Sequence, residues 1–239
     1  MAEMKKKRIE LLDALRGLGV LIMVVHHILY DLIAFCGASF QLFGNVIFDS
    51  LHYIAAGSFL VLAGVSSRFS RSNVKRGIKC FLVAVCFTIV TSLPMINLPI
   101  RFGVLHLLGS SMVFYGLTAK VWEKIPRKVM PVLCVVLLVG SALAVKHIEV
   151  SPAVAHFIFP LGWMYPGFFS ADWFPIFPWF FVYLFGTWVG YYVKERKFPQ
   201  WFYTAEVPVL PFVGRHAMFI YIVHQPVIYG VIMLILKMR

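Results

Sequence analysis

The 239-residue chain is 61% apolar and 13% charged, with 23 Phe, 10 Tyr and 6 Trp, against roughly 45–50% apolar and about 25% charged in soluble domains. With a mean hydropathy of +0.85, it carries more apolar surface than a water-soluble core of this size can hide, which excludes a soluble enzyme, a disordered chain and a secreted disulfide domain. The net charge of +12 falls in short basic blocks between apolar runs, a pattern of membrane topology and anionic-lipid contact rather than of nucleic-acid binding.

The expected fold is therefore all-α, a polytopic membrane helix bundle in a single domain spanning 1–239. Crossing about 30 Å of hydrocarbon takes roughly 20 apolar residues. Seven runs approach that length, at 11–35, 46–67, 77–95 (the shortest reach of clean apolar sequence), 102–120, 129–146, 174–193 and 215–236. The opening MAEMKKKR mimics a signal peptide, but Asp13 and Arg16 lie within the first run, which continues past residue 33 without a small-residue cleavage site; it reads as a retained first helix. With the N-terminus in the cytoplasm, seventeen Lys/Arg fall inside and four outside, Arg16 lying just within the first run. This bias predicts an N-in, C-out chain. Segment 147–173 is apolar but interrupted by Pro152, Pro160, Gly162, Pro166 and Gly167, and reads as an external aromatic lid or re-entrant segment. The four cysteines form no CxxC pair and lie in or beside apolar runs, as small buried side chains rather than a zinc site or disulfides.

The densest polar signal is in the first run. Arg16 and His27 are eleven residues apart, so on a helix they share a face about 16 Å apart along the axis. Asp13, Met23, Tyr30 and Asp31 fall on or near the same stripe. His27 and Asp31 stand one turn apart and can touch. A carboxylate there can hold the imidazole tautomer and raise its basicity. Charges inside a membrane cost a few kcal/mol or more and normally face a bundle interior or a wet cavity. The plainer alternatives are that Arg16 snorkels to the inner headgroups and His27 bonds another helix. His26 points about 100° away from His27.

Further along, Arg68 and Arg71 form an RxxR at an inner exit, followed by Lys75 and Arg76. They read either as a positive-inside anchor or, at i and i+3 on one helix face, as a clamp for phosphate. Arg101 and His106 stand near the outer end of the fourth run, suited to acceptor binding or proton transfer; His52 lies at comparable depth and reads as a core hydrogen-bonding residue. His224 and Gln225 precede Pro226 in the last run, either lining a cavity where the helix breaks or marking a structural kink. His147, His156 and Asp172 belong to the external segment. A transporter or channel using the same polar residues is the rival class, although no inverted repeat is visible. A haem protein with paired axial histidines is a third.

RGLGVLIMVVHH preceded by DAL resembles the first helix of the transmembrane acyltransferase superfamily. RIELLDALRG, the HxxYD of His27–Asp31, FLVLAGVS (59–66), FGVLHLLG (102–109) and GRHAMFIYIVHQP (214–226) more closely resemble its bacterial branch, similar to the catalytic domain of heparan-alpha-glucosaminide N-acetyltransferase. The likeness covers the first half and the last helix; 121–213 matches in hydropathy alone. It implies an integral-membrane enzyme moving an acyl group, acetyl by this resemblance, from cytoplasmic acyl-CoA to a sugar hydroxyl or amine at the outer face. His27 is then the general base, with Arg16 as its companion and Asp31 beside it. Arg68, Arg71, Lys75 and Arg76 meet the CoA phosphates, His224 and Gln225 line the acyl arm's path, and Arg101 and His106 bind the acceptor. Acetyl-CoA is a donor substrate rather than a resident cofactor, and no metal is implied. The partners are acyl-CoA, a glycan or amino-sugar acceptor and the bilayer, without nucleic acid; the oligomeric state stays open, a homodimer included. A bacterial source would place the protein in the cytoplasmic membrane.

Overall fold

The computed structural model describes residues 8–38, 46–93 and 98–238; Lys5, Lys6, Lys7 and Arg239 of the charge balance lie outside them, as do 94 and 95 of the third run. Among the described residues the regular structure is entirely helical: α1 (Glu10–Cys36), α2 (Val46–Ser67), α3 (Asn73–Thr91), α4 (Val104–Trp122), α5 (Met130–His147), α6 (Pro152–Ile158) with a 3-10 turn at Phe159–Leu161, α7 (Ile176–Lys194), α8 (Gln200–Thr204), α9 (Leu210–Arg215) and α10 (Ala217–Lys237). Each predicted run becomes a helix, with local punctuation where the side chains dictate it. Gly37, in the left-handed region at φ 65°, ends α1, a conformation that costs glycine little. Ser72 caps α3 by accepting from the Lys75 amide. Segment 147–173 forms only the short α6, opened by Ser151 and Pro152.

The chain divides into two compact units, Met1–Phe59 with Phe198–Arg239, and Leu60–Lys197. In the first, α1 packs on α9 and α10. The contact is close because both sides are glycine: a Cβ on Gly17 would lie 2.3 Å from the Leu210 carbonyl oxygen, and one on Gly214 would lie 1.7 Å from that of Asp13. Without side chains between them the backbones approach as small residues allow in membrane helices. From this crossing α1 and α10 run in the same direction, with His27 beside His224 and Phe35 beside Tyr229.

In the second unit, α3 and α4 pair antiparallel. Gly77 lies against Gly109 and Val113, and Gly116 against Val74. The α2 end runs parallel to α7: Gly186 abuts Val61 and Gly190 abuts Val65, while a Cβ on Gly64 would meet the Tyr183 carbonyl oxygen at 2.2 Å. Ser67 and Tyr183 share a 2.5 Å hydroxyl bond in this contact. Helix α5 pairs antiparallel with α7, the Trp188 indole donating to the Arg127 carbonyl at one end and Val145 lying near Gly162 at the other.

Six described helices are long and apolar enough to cross a membrane: α1, α2, α4, α5, α7 and α10. Helix α3 falls short by composition because Lys75, Arg76 and Lys79 occupy its first two turns. Its 19 residues nevertheless match the 19 of α4, about 28 Å at 1.5 Å per residue. Parallel spanning helices start on the same face, so an odd number of crossings must separate them. With the six as spans, α1 with α10 and α2 with α7 meet that condition only with α3 as a further crossing, which would make seven among the described residues.

Gly214→Ala should force α9 from α1 and lower stability by about 1–3 kcal/mol, the usual cost of overpacking. Thermal unfolding in detergent measures it, with Gly140→Ala, where a Cβ meets nothing within 4 Å, as the neutral control.

Candidate active site

The predicted polar residues fall into both units. In the first, Arg16 donates from a terminal guanidinium nitrogen to Asp13 Oδ1 at 2.6 Å. Asp13 is buried, and its backbone carbonyl is at the Gly214 crossing. The Arg16–Asp13 pair thus stands at the level of α9, three turns of α1 from His27.

His27 is half-buried. Its Nδ1 lies 2.9 Å from the Met23 carbonyl oxygen. A carbonyl only accepts, so Nδ1 carries the hydrogen, and in the neutral ring the lone pair is on Nε2. The expected partnership of His27 with Asp31 is corrected here: the carbonyl one turn back fixes the tautomer. Asp31, 1% exposed, instead accepts at Oδ2 from Gln225 Nε2 at 2.8 Å. Geometry explains the exchange, because α10 runs parallel to α1 and brings Gln225 to the buried carboxylate.

His224 is fixed as His27 is. Its Nδ1 donates to the Tyr221 carbonyl at 2.8 Å, it is 8% exposed, and its ring meets that of His27 edge-on at 4.9 Å between centroids. His224 Nε2 and Gln225 Oε1 are buried and have no hydrogen-bond partner among the described residues. Helix α10 continues through Pro226 rather than breaking there; the missing Pro226 N–H leaves the Ile222 carbonyl without its helical donor.

The same unit holds two imidazoles the spacing argument set aside. His26 stacks on His52 of α2, centroids 4.4 Å apart and planes at 33°, and lies 5.7 Å from His27. The adjacent HisHis pair was the available signal; what sequence lacked was the register of α2 that delivers His52. Among the described residues no group of three or more His, Cys, Asp or Glu converges to hold a metal ion.

The second unit carries the remaining predicted residues. Helix α2 ends at Ser67, so Arg68 and Arg71 sit in the turn after it and the one-face helical clamp is not formed. Arg68 is spent within the unit, donating from Nε to the Thr187 carbonyl at 3.0 Å and from a terminal nitrogen to Glu123 at 2.8 Å. Arg71, Lys75 and Arg76 are exposed, the last two in the first turn of α3. Arg101 reaches segment 147–173, donating to the Tyr165 hydroxyl at 2.5 Å. That segment is tied to the turn before α4 by Ala171 N–H to the Pro99 carbonyl and Phe174 N–H to the Phe102 carbonyl, and Asp172 accepts from the Val104 amide at 3.1 Å, a carboxylate where the α4 dipole favours one. His106 is not brought to Arg101's partners: it is buried, stacked on Phe102, with Nε2 3.3 Å from Thr88 Oγ1. Thr88 donates its own hydrogen to the Ile100 carbonyl at 2.7 Å, so the imidazole is the donor in that contact. An apolar cavity of about 460 Å³ lies among Phe81, Ser111, Phe114, Leu161 and Phe180.

Replacing Gln225 by Leu should leave the Asp31 carboxylate unpaired and cost about 1–3 kcal/mol. In a double-mutant cycle with Asp31→Leu, the double variant should lose less than the two single losses together, as read by unfolding in detergent.

Among known proteins, a family model described as "Heparan-alpha-glucosaminide N-acetyltransferase, catalytic" matches residues 8–226. No curated protein and no solved structure matches the chain.

Proposed function

Because the chain belongs to the heparan-alpha-glucosaminide N-acetyltransferase catalytic-domain family, we propose that this transmembrane acetyltransferase takes its acetyl group from cytoplasmic acetyl-CoA and gives it to a sugar hydroxyl or amine at the outer face. The reading is carried by His27, whose Nδ1 hydrogen is committed to Met23, leaving an Nε2 lone pair as a general base. As the acceptor's oxygen or nitrogen attacks the thioester carbonyl carbon, its proton passes to Nε2. The C–S bond breaks and CoA leaves as thiolate. Asp31 acts at one remove, holding Gln225 beside the base.

His224 and Gln225 suit the acceptor better than the acyl arm. Their unpartnered atoms, Nε2 and Oε1, are hydrogen-bond acceptors in the neutral state, complementary to the hydroxyls and amines of a sugar rather than to a thioester oxygen. Exposed Arg71, Lys75 and Arg76, clustered at the start of α3, are suited to the CoA phosphates; Arg68, already paired with Glu123, helps fix the turn that presents them. Arg101, bonded to Tyr165, and the rest of 147–173 form an outer lid. The N-in orientation is supported by the seventeen-to-four basic bias, and under that reading the basic start of α3 shares the cytoplasmic side with CoA.

Purified protein incubated with radiolabelled acetyl-CoA and a panel of glycans and amino sugars should transfer label, and His27→Ala should lower the rate about a hundredfold or more. Full transfer by His27→Ala removes the base from His27. Absence of acetyl-CoA binding by the native protein favours a transport role for the same polar residues.

A further inference from the structure

A base needs one imidazole, yet this unit holds four in succession. The ring centroids of His52 and His26 are 4.4 Å apart, those of His26 and His27 5.7 Å and those of His27 and His224 4.9 Å. Their contacts are pairwise rather than centred on a common point, and no metal-holding group forms among the described residues. The row runs from buried His224 to half-buried His52, whose ring lies 5.5 Å from that of Tyr53, a residue 54% exposed within two turns of the start of α2. Among the described residues, Tyr221 stands 5.6 Å from the His224 ring and Asp31 beside the row is bonded to Gln225. The Arg16–Asp13 pair stands three turns away. Polar rings inside a membrane span are costly and mark proton or substrate paths. Imidazole alone among side chains both takes and gives a proton near neutral pH. One bridging water or a ring rotation is enough to span rings at these separations.

We propose that His26 and His52 relay protons between His27 and the Val46 end of α2, within two turns of which His52 and Tyr53 stand. The inference rests on His27 being the base of the acetyl transfer. The Nδ1 hydrogen of His27 remains on Met23, so the proton it gives up is the one it took from the acceptor at Nε2. That proton passes to His26, then to His52, and leaves beside Tyr53, returning His27 to its basic form. The CoA thiolate takes a proton from water on its own side, so acceptor and acetyl-CoA still yield acetylated product and CoA thiol. The buried, unpartnered Nε2 of His224 can accept a hydrogen bond from the protonated His27 and keeps the charge in the row until it moves on. His26 and His52 touch no reacting atom in this scheme and act through His27.

The test compares native protein, His26→Phe and His52→Phe in nanodiscs, with acetyl-CoA as donor and glucosamine as probe acceptor. The relay predicts that kcat falls at least tenfold in both variants with KM for acetyl-CoA unchanged, and that free imidazole restores the rate of His52→Ala, in which the place of the ring is left open. A packing role would not give imidazole rescue. His52→Asn, which keeps polarity but moves no proton, provides the same comparison if the Phe variant fails to fold as judged by its melting temperature. An unchanged kcat, or a loss that imidazole does not restore, overturns the relay while a His27-dependent native transfer leaves the acetyltransfer reading standing. A native protein that binds acetyl-CoA but transfers nothing, to glucosamine or to any of the glycans, overturns both.

Discussion

The proposed chemistry depends on one short-range bond, from His27 Nδ1 to the carbonyl of Met23, 2.9 Å away on the same helix. Helix backbone carbonyls are already engaged in the i to i−4 ladder, but each has a second lone pair, and a histidine four residues on can use it. Within lipid, where an unsatisfied N–H costs several kcal/mol, that bond selects a tautomer without needing a charged partner. A carboxylate in the same role would add a second buried charge. Asp31 is spared it, and its Oδ2 instead accepts a hydrogen bond from the Gln225 amide.

What brings the second imidazole and the amide to His27 is backbone proximity. The Gly17–Gly214 crossing leaves no room for a Cβ on either side, and fixes the relative level of α1 and the α9–α10 segment. Ten residues beyond the glycine on each strand of the pair stand His27 and His224. The glycine contact therefore sets the level from which α1 runs to His27 and, past the turn at His216, α10 runs to His224. A bulky residue at either glycine would alter the level at which the two rings meet as well as the stability of the packing.

Much of this was readable from residue order. Apolar run length gave the helices, because crossing hydrocarbon demands it, and the Arg16–His27 spacing located the polar stripe on α1. The family likeness was carried by the same first helix and by GRHAMFIYIVHQP. Sequence could not show which of two available acceptors an imidazole takes: Asp31 and the Met23 carbonyl are both one turn from His27, and the choice turned on Gln225 arriving from α10, 194 residues away in sequence. The helical clamp of Arg68 and Arg71 failed for a related reason. Helix end points are set by competing local bonds, and α2 stops at Ser67, so spacing meant for one helix face was applied to a turn. Gly186 and Gly190, a GxxxG within an apolar run, were a legible packing signal; their partner face on α2 was not.

The division of hydrogen-bond roles also limits which reactant each residue can serve. A thioester oxygen gathers negative charge as it is attacked and is stabilised by donors, whereas the unpartnered atoms beside His27 are a histidine lone pair and an amide oxygen. Those atoms would oppose a developing oxyanion and would bind a hydroxyl or an amine well. The unpartnered polar atoms of this unit are therefore those of a binder of hydroxyls and amines.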